Sequence, residues 1–398
     1  MQYVYIIGSK SLGAYGGYET FVKKLVECHK DNDKVKYVIA CKGNGSGCMD
    51  ESTLEGAETI DSHRFTYCGH ECFKIHVPEI GAAQALYYDV KALEMCCKHI
   101  ESNKIVHPIV YILACRIGFF MNHYVKKIHS YGGKVFLNPD GHEWKREKWS
   151  PPVRAYWKVS EKLMVKHSDY VICDNRNIEK YIHDEYSDYM PKTTYIAYGS
   201  DIKRSTLDDD DETFVKWLND NNLKPHNYYL VVGRFVPENN YETMLREFMA
   251  SDSDKKLVII TTANTELYND LDNKLSFSDD ERIIFPGSVY DEMLLKKIRE
   301  NAFAYIHGHE VGGTNPSLLE ALGSTDLNLV FGVNFNREVC KKAALFWNKD
   351  EGNLSNLINE CDKMSDEEIK RMGELAKHRV SEGFKWESIS SQYLELFS

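Results

Sequence analysis

Two hydrophobic periods alternate along this chain. Short runs at Tyr3 to Ile7, Lys36 to Cys41, Ile109 to Leu113, Lys134 to Leu137 and Tyr170 to Cys173 are dense in apolar and β-branched residues, which predicts buried strands. Between them, Tyr18 to Cys28, Gly81 to His99, Ile117 to Tyr131 and Ala155 to His167 place apolar residues at helical spacing. Such alternation predicts a parallel sheet covered on both faces. The pattern breaks after Tyr195 to Gly199 and then restarts. New strands are predicted at Tyr228 to Val232, Leu257 to Thr261, Arg282 to Phe285, Ala302 to Ile306 and Leu327 to Phe331, with helices at Tyr241 to Met249 and Asp291 to Asn301. Two successive α/β series predict two doubly wound domains facing a cleft. Their boundaries fall at 1–201 and 202–383. A length of 398 residues agrees with two domains. Ser365 and Glu368 form a capping-box pattern, and Gly383 is a plausible stop. The final segment, Glu387 to Phe397, predicts a short helix whose Ile389, Tyr393, Leu396 and Phe397 need a surface to cover.

Composition narrows the function classes. A formal net charge of -11 argues against a general nucleic-acid binder. The 11 cysteines form no disulfide framework, and Met1-Gln2-Tyr3 opens no signal-peptide pattern, so a reduced cytosolic protein is expected. No apolar run is long enough to span a membrane. Cys68-Gly69-His70-Glu71-Cys72 offers too few ligands for a zinc site and reads as a loop or strand pair of reduced cysteines. Asp208 to Asp211 reads as a solvated acidic run. No metal is expected. Against this acidic background, Lys145, Arg146, Lys148, Trp149, Arg154, Trp157, Lys158, Lys162 and Lys166 form a basic, aromatic stretch. It suits anionic headgroups or a lipid diphosphate, and equally a solvated helix face with core tryptophans.

The most informative stretch is His307 to Leu322. A predicted strand runs into a glycine-rich turn and then a helix, with Asn315 suited to the N-cap and Pro316 to the first turn. Backbone amides at such a turn, with the helix dipole, suit a phosphate or diphosphate. Glu320, one turn further in, can accept hydrogen bonds from ribose hydroxyls. Arg234 leaves the Tyr228 to Val232 strand where a cleft is expected, and its guanidinium can hold a diphosphate. Asp140, on a Pro-Asp-Gly turn past a strand, is placed for acid–base or electrostatic work. The loop with Gly8, Gly13, Gly16 and Gly17 matches neither a dinucleotide fingerprint nor a P-loop, yet its glycines permit close approach to a ligand.

Together these residues resemble glycosyltransferase family 4, a retaining GT-B family, and more narrowly the bacterial rhamnosyltransferases of capsular and cell-wall polysaccharides. The matching pieces are Ala14 to Val22, Asn138 to Gly141, Glu143 to Arg146, Ile172 to Asp174, Val232 to Glu242, Gly312 to Glu320 and Phe384 to Trp386. The resemblance implies a GT-B fold whose C-terminal helix, 384–398, crosses back to an acceptor-binding first domain. It implies transfer of L-rhamnose from dTDP-β-L-rhamnose to a lipid-diphosphate-linked saccharide, with retention and without metal. A UDP-hexose donor, or a sugar-nucleotide sensor without turnover, are the alternatives. Arg234, Asn239, Gly313, Thr314, Asn315 and Glu320 would meet the nucleotide sugar, with Gly16 and Gly17 near it. Asp140, Asp174 and Glu238 would orient the sugars. A lipid-linked acceptor implies a cytoplasmic protein peripheral at the inner face of the plasma membrane. Two departures stand out: Gly312 replaces the wider family's first glutamate, and Asn239 replaces its lysine.

Overall fold

The computed structural model describes residues 1–12, 16–262 and 265–398. Gly13, Ala14 and Tyr15 of the glycine loop therefore lie outside the described residues. The chain forms two compact units. The first holds residues 1–145, 149–199 and 386–398, and the second holds 146–148 and 200–385.

In the first unit the elements run β1 (Gln2–Ile7), α1 (Gly17–Cys28), β2 (Val35–Lys42), β3 (Glu58–Asp61), β4 (Arg64–Tyr67), β5 (His70–Ile75), α2 (Gln84–Asn103), β6 (Ile109–Leu113) and α3 (Gly118–Ser130). They continue with β7 (Lys134–Asn138), α4 (Pro151–His167), β8 (Tyr170–Cys173), α5 (Arg176–Glu185) and β9 (Thr193–Tyr195). The strand order is β3-β4-β5-β2-β1-β6-β7-β8-β9. All pairs are parallel except β3–β4 and β4–β5. Val4 to Ile7 and Val110 to Leu113 are fully buried, as a sheet covered on both faces requires. The cysteine cluster proves to be the turn of the β4–β5 hairpin. Cys68 (φ 50) and Gly69 (φ 75) both occupy the left-handed region that a two-residue hairpin turn favours, and both cysteines are free thiols.

The second unit contains α6 (Glu212–Asp220), β10 (Tyr228–Val232), α7 (Tyr241–Met249), β11 (Lys256–Ile260), α8 (Thr265–Leu275), β12 (Ile283–Ile284), α9 (Glu292–Glu300), β13 (Ala304–His307) and α10 (Pro316–Ser324). After these come β14 (Asn328–Phe331), α11 (Asn334–Cys340), β15 (Leu345–Trp347), α12 (Asn353–Cys361) and α13 (Asp366–Gly383). Its parallel sheet has the order β12-β11-β10-β13-β14-β15. The acidic run caps a helix: Asp211 accepts from the amides of Thr213 and Phe214 at the start of α6, and Asp209 pairs with Lys297 at 2.7 Å. The Ser365–Glu368 capping box is present at α13.

The last helix, α14 (Trp386–Phe397), groups with the first unit. Ile389, Tyr393 and Phe397 are buried, and Tyr393 packs on Phe21 and Phe397. Its hydroxyl meets Tyr111 at 3.2 Å, and His29 Nε2 meets the Ser390 carbonyl at 2.9 Å. Among the described residues no helix is long and apolar enough to cross a membrane, and no group of His, Cys, Asp or Glu is gathered to hold a metal.

Each sheet reverses its winding once. In the first unit the reversal lies between β1 and β6, and in the second between β10 and β13. Open α/β sheets bind ligands beyond the carboxyl ends of the strands at such reversals.

Candidate functional site

The loops beyond β10 and β13 are tied together by short polar contacts. Arg234 leaves β10 with an exposed side chain, and among the described residues no carboxylate pairs with it. Pro237–Asn239 forms a single 3-10 turn. The Asn239 amide nitrogen donates to the Arg234 carbonyl at 2.8 Å, and its oxygen meets His309 Nδ1 at 2.7 Å. That network assigns the His309 ring proton to Nδ1. Asn240 adopts φ 58 and donates from its side chain to the Gly308 carbonyl at 2.8 Å. The Glu310 amide donates to the Glu238 carbonyl at 3.0 Å. Gly308 is required here, because a Cβ would collide with the Asn239 carbonyl oxygen. Asn239, at the position of the wider family's lysine, is thus a latch between two loops.

Three buried polar atoms at these strand ends lack hydrogen-bond partners among the described residues: both carboxylate oxygens of Glu238 and Nε2 of His307. Glu238 is 2% exposed and His307 is 5% exposed. Orphaned buried groups are uncommon and call for an explanation. Arg146 Nη1 lies 3.7 Å from Oε1 of Glu238. Burial pushes the His307 pKa down to about 3. Burial, then the charges of His307, Arg146 and Arg234, push that of His309 well below its usual value. Both rings are neutral at physiological pH.

The glycine-rich turn feeds α10 as the sequence predicts. Asn315 is the N-cap and Pro316 the first helical residue. The Asn315 side chain accepts from the amides of Ser317 and Leu318, at 2.9 and 3.3 Å. Those two amides are occupied and proline has none, so an anion here would meet the loop from Gly312 to Asn315 instead. Gly312 sits at φ +152, Gly313 is buried, and Thr314 is 3% exposed. Glu320 is an ion-pair partner: its Oε2 lies 2.7 Å from Nη2 of Arg299, whose side chain is 4% exposed. Glu310 pairs with Lys349 at 2.6 Å.

The first unit has its own strand-end cluster. A Cβ on Gly8 would fall on the Leu113 carbonyl, so β1 and β6 approach closely here. Arg116 donates to the carbonyls of Gly8 and Leu113 and to the fully buried Asp89 at 3.0 Å. Burial raises the pKa of Asp89, and Arg116 opposes it. Past β7, the Asp140 amide donates to Asn138 Oδ1 at 2.9 Å, and Asp140 is held at φ 59. Such a conformation in a residue other than glycine is uncommon and is favoured by Asp and Asn. The Tyr18 hydroxyl points to the same Asn138 oxygen at 3.4 Å. Burial, then the nearby Asp140 charge, raise its pKa strongly. Asp174, 3% exposed, follows β8 and acts on Tyr18 and Tyr198. Gly16 is the extended N-cap residue of α1, and Gly17 is its first residue.

The candidate residues thus fall into two groups. Arg234, Glu238, Asn239, Gly313, Thr314, Asn315 and Glu320 belong to the second unit. Gly16, Gly17, Asp140 and Asp174 belong to the first. Sequence reasoning missed the ion-pair partners Arg299, Arg116 and Asp89, for which no local motif exists. It also placed Arg146 on a lipid-facing surface, whereas Arg146 is 6% exposed and groups with the second unit.

Comparison with known proteins agrees with this architecture. A sucrose-phosphate synthase from Thermosynechococcus elongatus aligns at 15% identity and TM-score 0.75, covering 100% of this chain and 98% of the other. An α,α-trehalose 6-phosphate synthase from Burkholderia multivorans aligns at 11% identity and TM-score 0.74, covering 100% and 96%. HepE of Anabaena, solved with UDP and glucose, aligns at 13% identity and TM-score 0.70, covering 100% and 99%. No curated protein matches in sequence. At such identities the structural likeness establishes the fold, two Rossmann-like sheets of the GT-B type. A family model described as a domain of unknown function, DUF1972, matches residues 1–201. The chain belongs to the DUF1972 family.

Proposed function

We propose that this protein is a glycosyltransferase whose second unit takes a nucleotide-sugar donor. The observation that carries this reading is the convergence at the β10 and β13 strand ends. An exposed arginine side chain and the polar atoms of Glu238 and His307, all without hydrogen-bond partners among the described residues, lie there with a glycine-rich turn at a helix N-terminus. Anionic, hydroxyl-rich ligands satisfy each of these groups. The UDP and glucose bound to HepE support the same ligand class. In this reading Arg234 and the Gly313-Thr314-Asn315 amides stabilise the departing diphosphate, and Glu320, held by Arg299, accepts from ribose. Glu238 orients the donor sugar. Asp140 and Asp174 act at the sugars from the first unit, with Asp140 the catalytic carboxylate. Catalysis is charge stabilisation and alignment of two substrates.

The resemblance to polysaccharide rhamnosyltransferases makes dTDP-β-L-rhamnose the donor, with retention, and a lipid-diphosphate-linked saccharide the acceptor, in capsule or cell-wall synthesis. The ligands of HepE favour a second reading, a UDP-hexose donor on the same machinery. Hydrolysis and transfer measured across dTDP-rhamnose, UDP-glucose, UDP-galactose and UDP-N-acetylglucosamine separate the two. Turnover confined to dTDP-rhamnose supports the first, turnover confined to a UDP-hexose supports the second, and binding without turnover of any donor refutes both.

A further inference from the structure

We propose that Lys42, Lys10 and the loop from Gly43 to Cys48 form a phosphoryl-binding site in the first unit, the seat of a phosphate or diphosphate carried by the acceptor. The proposal rests on the glycosyltransferase reading above only in naming the acceptor as the source of that group. Lys42 is the last residue of β2 and is 8% exposed. Among the described residues no carboxylate lies within ion-pair distance of it, and its Nζ donates to the Ser46 carbonyl at 3.0 Å. An ammonium has three donors, and burying one without a counter-charge is costly. The Lys42 backbone also fixes the loop: its amide donates to the Lys10 carbonyl and its carbonyl accepts from the Met49 amide, both at 2.7 Å. The Asn44 side chain grips the Val77 amide and carbonyl, at 2.7 and 3.0 Å. Between these anchors the backbone amides of Asn44, Gly45, Ser46 and Gly47 have no hydrogen-bond partner among the described residues. Gly45 and Gly47 sit at φ 73 and φ 69, the left-handed region from which loop amides can converge on an anion. The two lysines flank the same loop: a Cβ on Gly45 would lie 3.4 Å from Lys42 Nζ, and one on Gly47 would lie 3.6 Å from Lys10 Cδ. Glu19 accepts the Lys10 backbone amide at 3.0 Å and, among the described residues, pairs with neither ammonium. Strands β1 and β2 are parallel neighbours, so the loop opens at the same strand ends as Gly8. The Tyr88 hydroxyl ties those ends together through the Ser9 and Ala40 carbonyls. A phosphoryl group supplies the missing negative charge and accepts from both lysines and from the loop amides.

The test is calorimetric titration of inorganic pyrophosphate and of geranyl diphosphate into the full chain, always carrying Arg234→Ala so that the donor site contributes little. This reference chain should bind both probes. Adding Lys42→Gln should weaken both at least tenfold with no fall in melting temperature, because the substitution removes a buried charge that has no counter-ion. Adding Lys10→Gln, at an exposed side chain, should also weaken both, and it keeps the test decisive if the Lys42 variant does not fold. Undiminished pyrophosphate affinity in every variant that folds, or no pyrophosphate binding by the reference chain, overturns the site. Pyrophosphate binding that is lost on substitution, with no binding of geranyl diphosphate, keeps the site and overturns the lipid-linked acceptor instead.

Discussion

Arg234 and Glu320 occupy neighbouring loops and an adjoining helix, yet they answer differently to mutation. The Arg234 side chain is exposed and forms no ion pair among the described residues, so Arg234→Ala should leave the melting temperature unchanged. Loss of a charge-assisted contact should weaken nucleoside diphosphate binding by about 1.5–3 kcal/mol; unchanged affinity in calorimetry would remove Arg234 from the site. Glu320→Ala instead removes the 2.7 Å ion-pair partner of the buried Arg299 guanidinium. Stability should fall by on the order of 3 kcal/mol, measured by denaturant unfolding. Glu320→Gln keeps the shape and one acceptor, so it reads the ribose contact with less damage to the fold. If Glu320→Ala unfolds like wild type, the 2.7 Å pair contributes nothing. Asp140 is tested by Asp140→Asn, since Asn also tolerates the φ of 59 and can keep the backbone in place. Turnover should drop by roughly 100-fold or more with donor affinity nearly intact; near-normal turnover would reduce Asp140 to a turn residue.

At the scale of elements, legibility follows how much of the local pattern is set by burial. Strands β1, β6, β7, β8 and β10 are fully or almost fully buried, so their apolar runs mark them within a residue or so of their true ends. Of the β3–β5 meander only a loop or strand pair around Cys68 and Cys72 is legible; β3, exposed throughout, gives no apolar signal, and the buried residues of β4 and β5 are interrupted by charged and polar ones. Helix α5 escaped for a related reason: Ile178 and Ile182 are its only buried members. The site was half legible. Turn glycines, the Asn315 cap and Arg234 are local features, and sequence exposes local features. The pairs Arg299–Glu320, Arg116–Asp89 and Arg146–Glu238 arise only when the sheets assemble. Helix α14 was readable because Ile389, Tyr393 and Phe397 repeat at i+4, and its docking on the first unit gives that pattern its purpose. Tyr393 is 1% exposed against Phe21, Tyr111 and Phe397. Tyr393→Ala should therefore cost about 3–5 kcal/mol in chemical denaturation. A loss below about 1 kcal/mol would mean that α14 is not held on the first unit as described.

At the scale of the whole molecule, the proposed lipid-linked acceptor raises the question of how a chain of net charge -11 would meet an anionic membrane. The structure narrows the basic stretch seen in the sequence. Arg146 is buried, and Lys158 is bound to Glu185 at 2.7 Å while lying over the rings of Trp144 and Tyr181. Lys145, Lys162 and Lys166 of the first unit are exposed. Beside α4, helix α3 opens with Phe119 and Phe120, which are 59% and 42% exposed, and Val159 on α4 is 43% exposed. The two helices are joined by the Phe119–Tyr156 ring stack and by the Gly118 amide donating to Ser160 at 2.8 Å. Exposed aromatics flanked by lysines are the composition of a reversible interfacial anchor. Each lysine near an anionic surface contributes about 1 kcal/mol, and salt screens that attraction. Reversing Lys145, Lys162 and Lys166 of the first unit to Glu should abolish sedimentation with phosphatidylserine-containing vesicles at low salt. Phe119→Ser with Phe120→Ser should weaken it while leaving the salt dependence in place. Transfer to a short soluble acceptor should persist in both variants, because none of these side chains belongs to either strand-end cluster. Wild-type protein that ignores such vesicles, or reversal that leaves sedimentation unchanged, would take this face out of any membrane role.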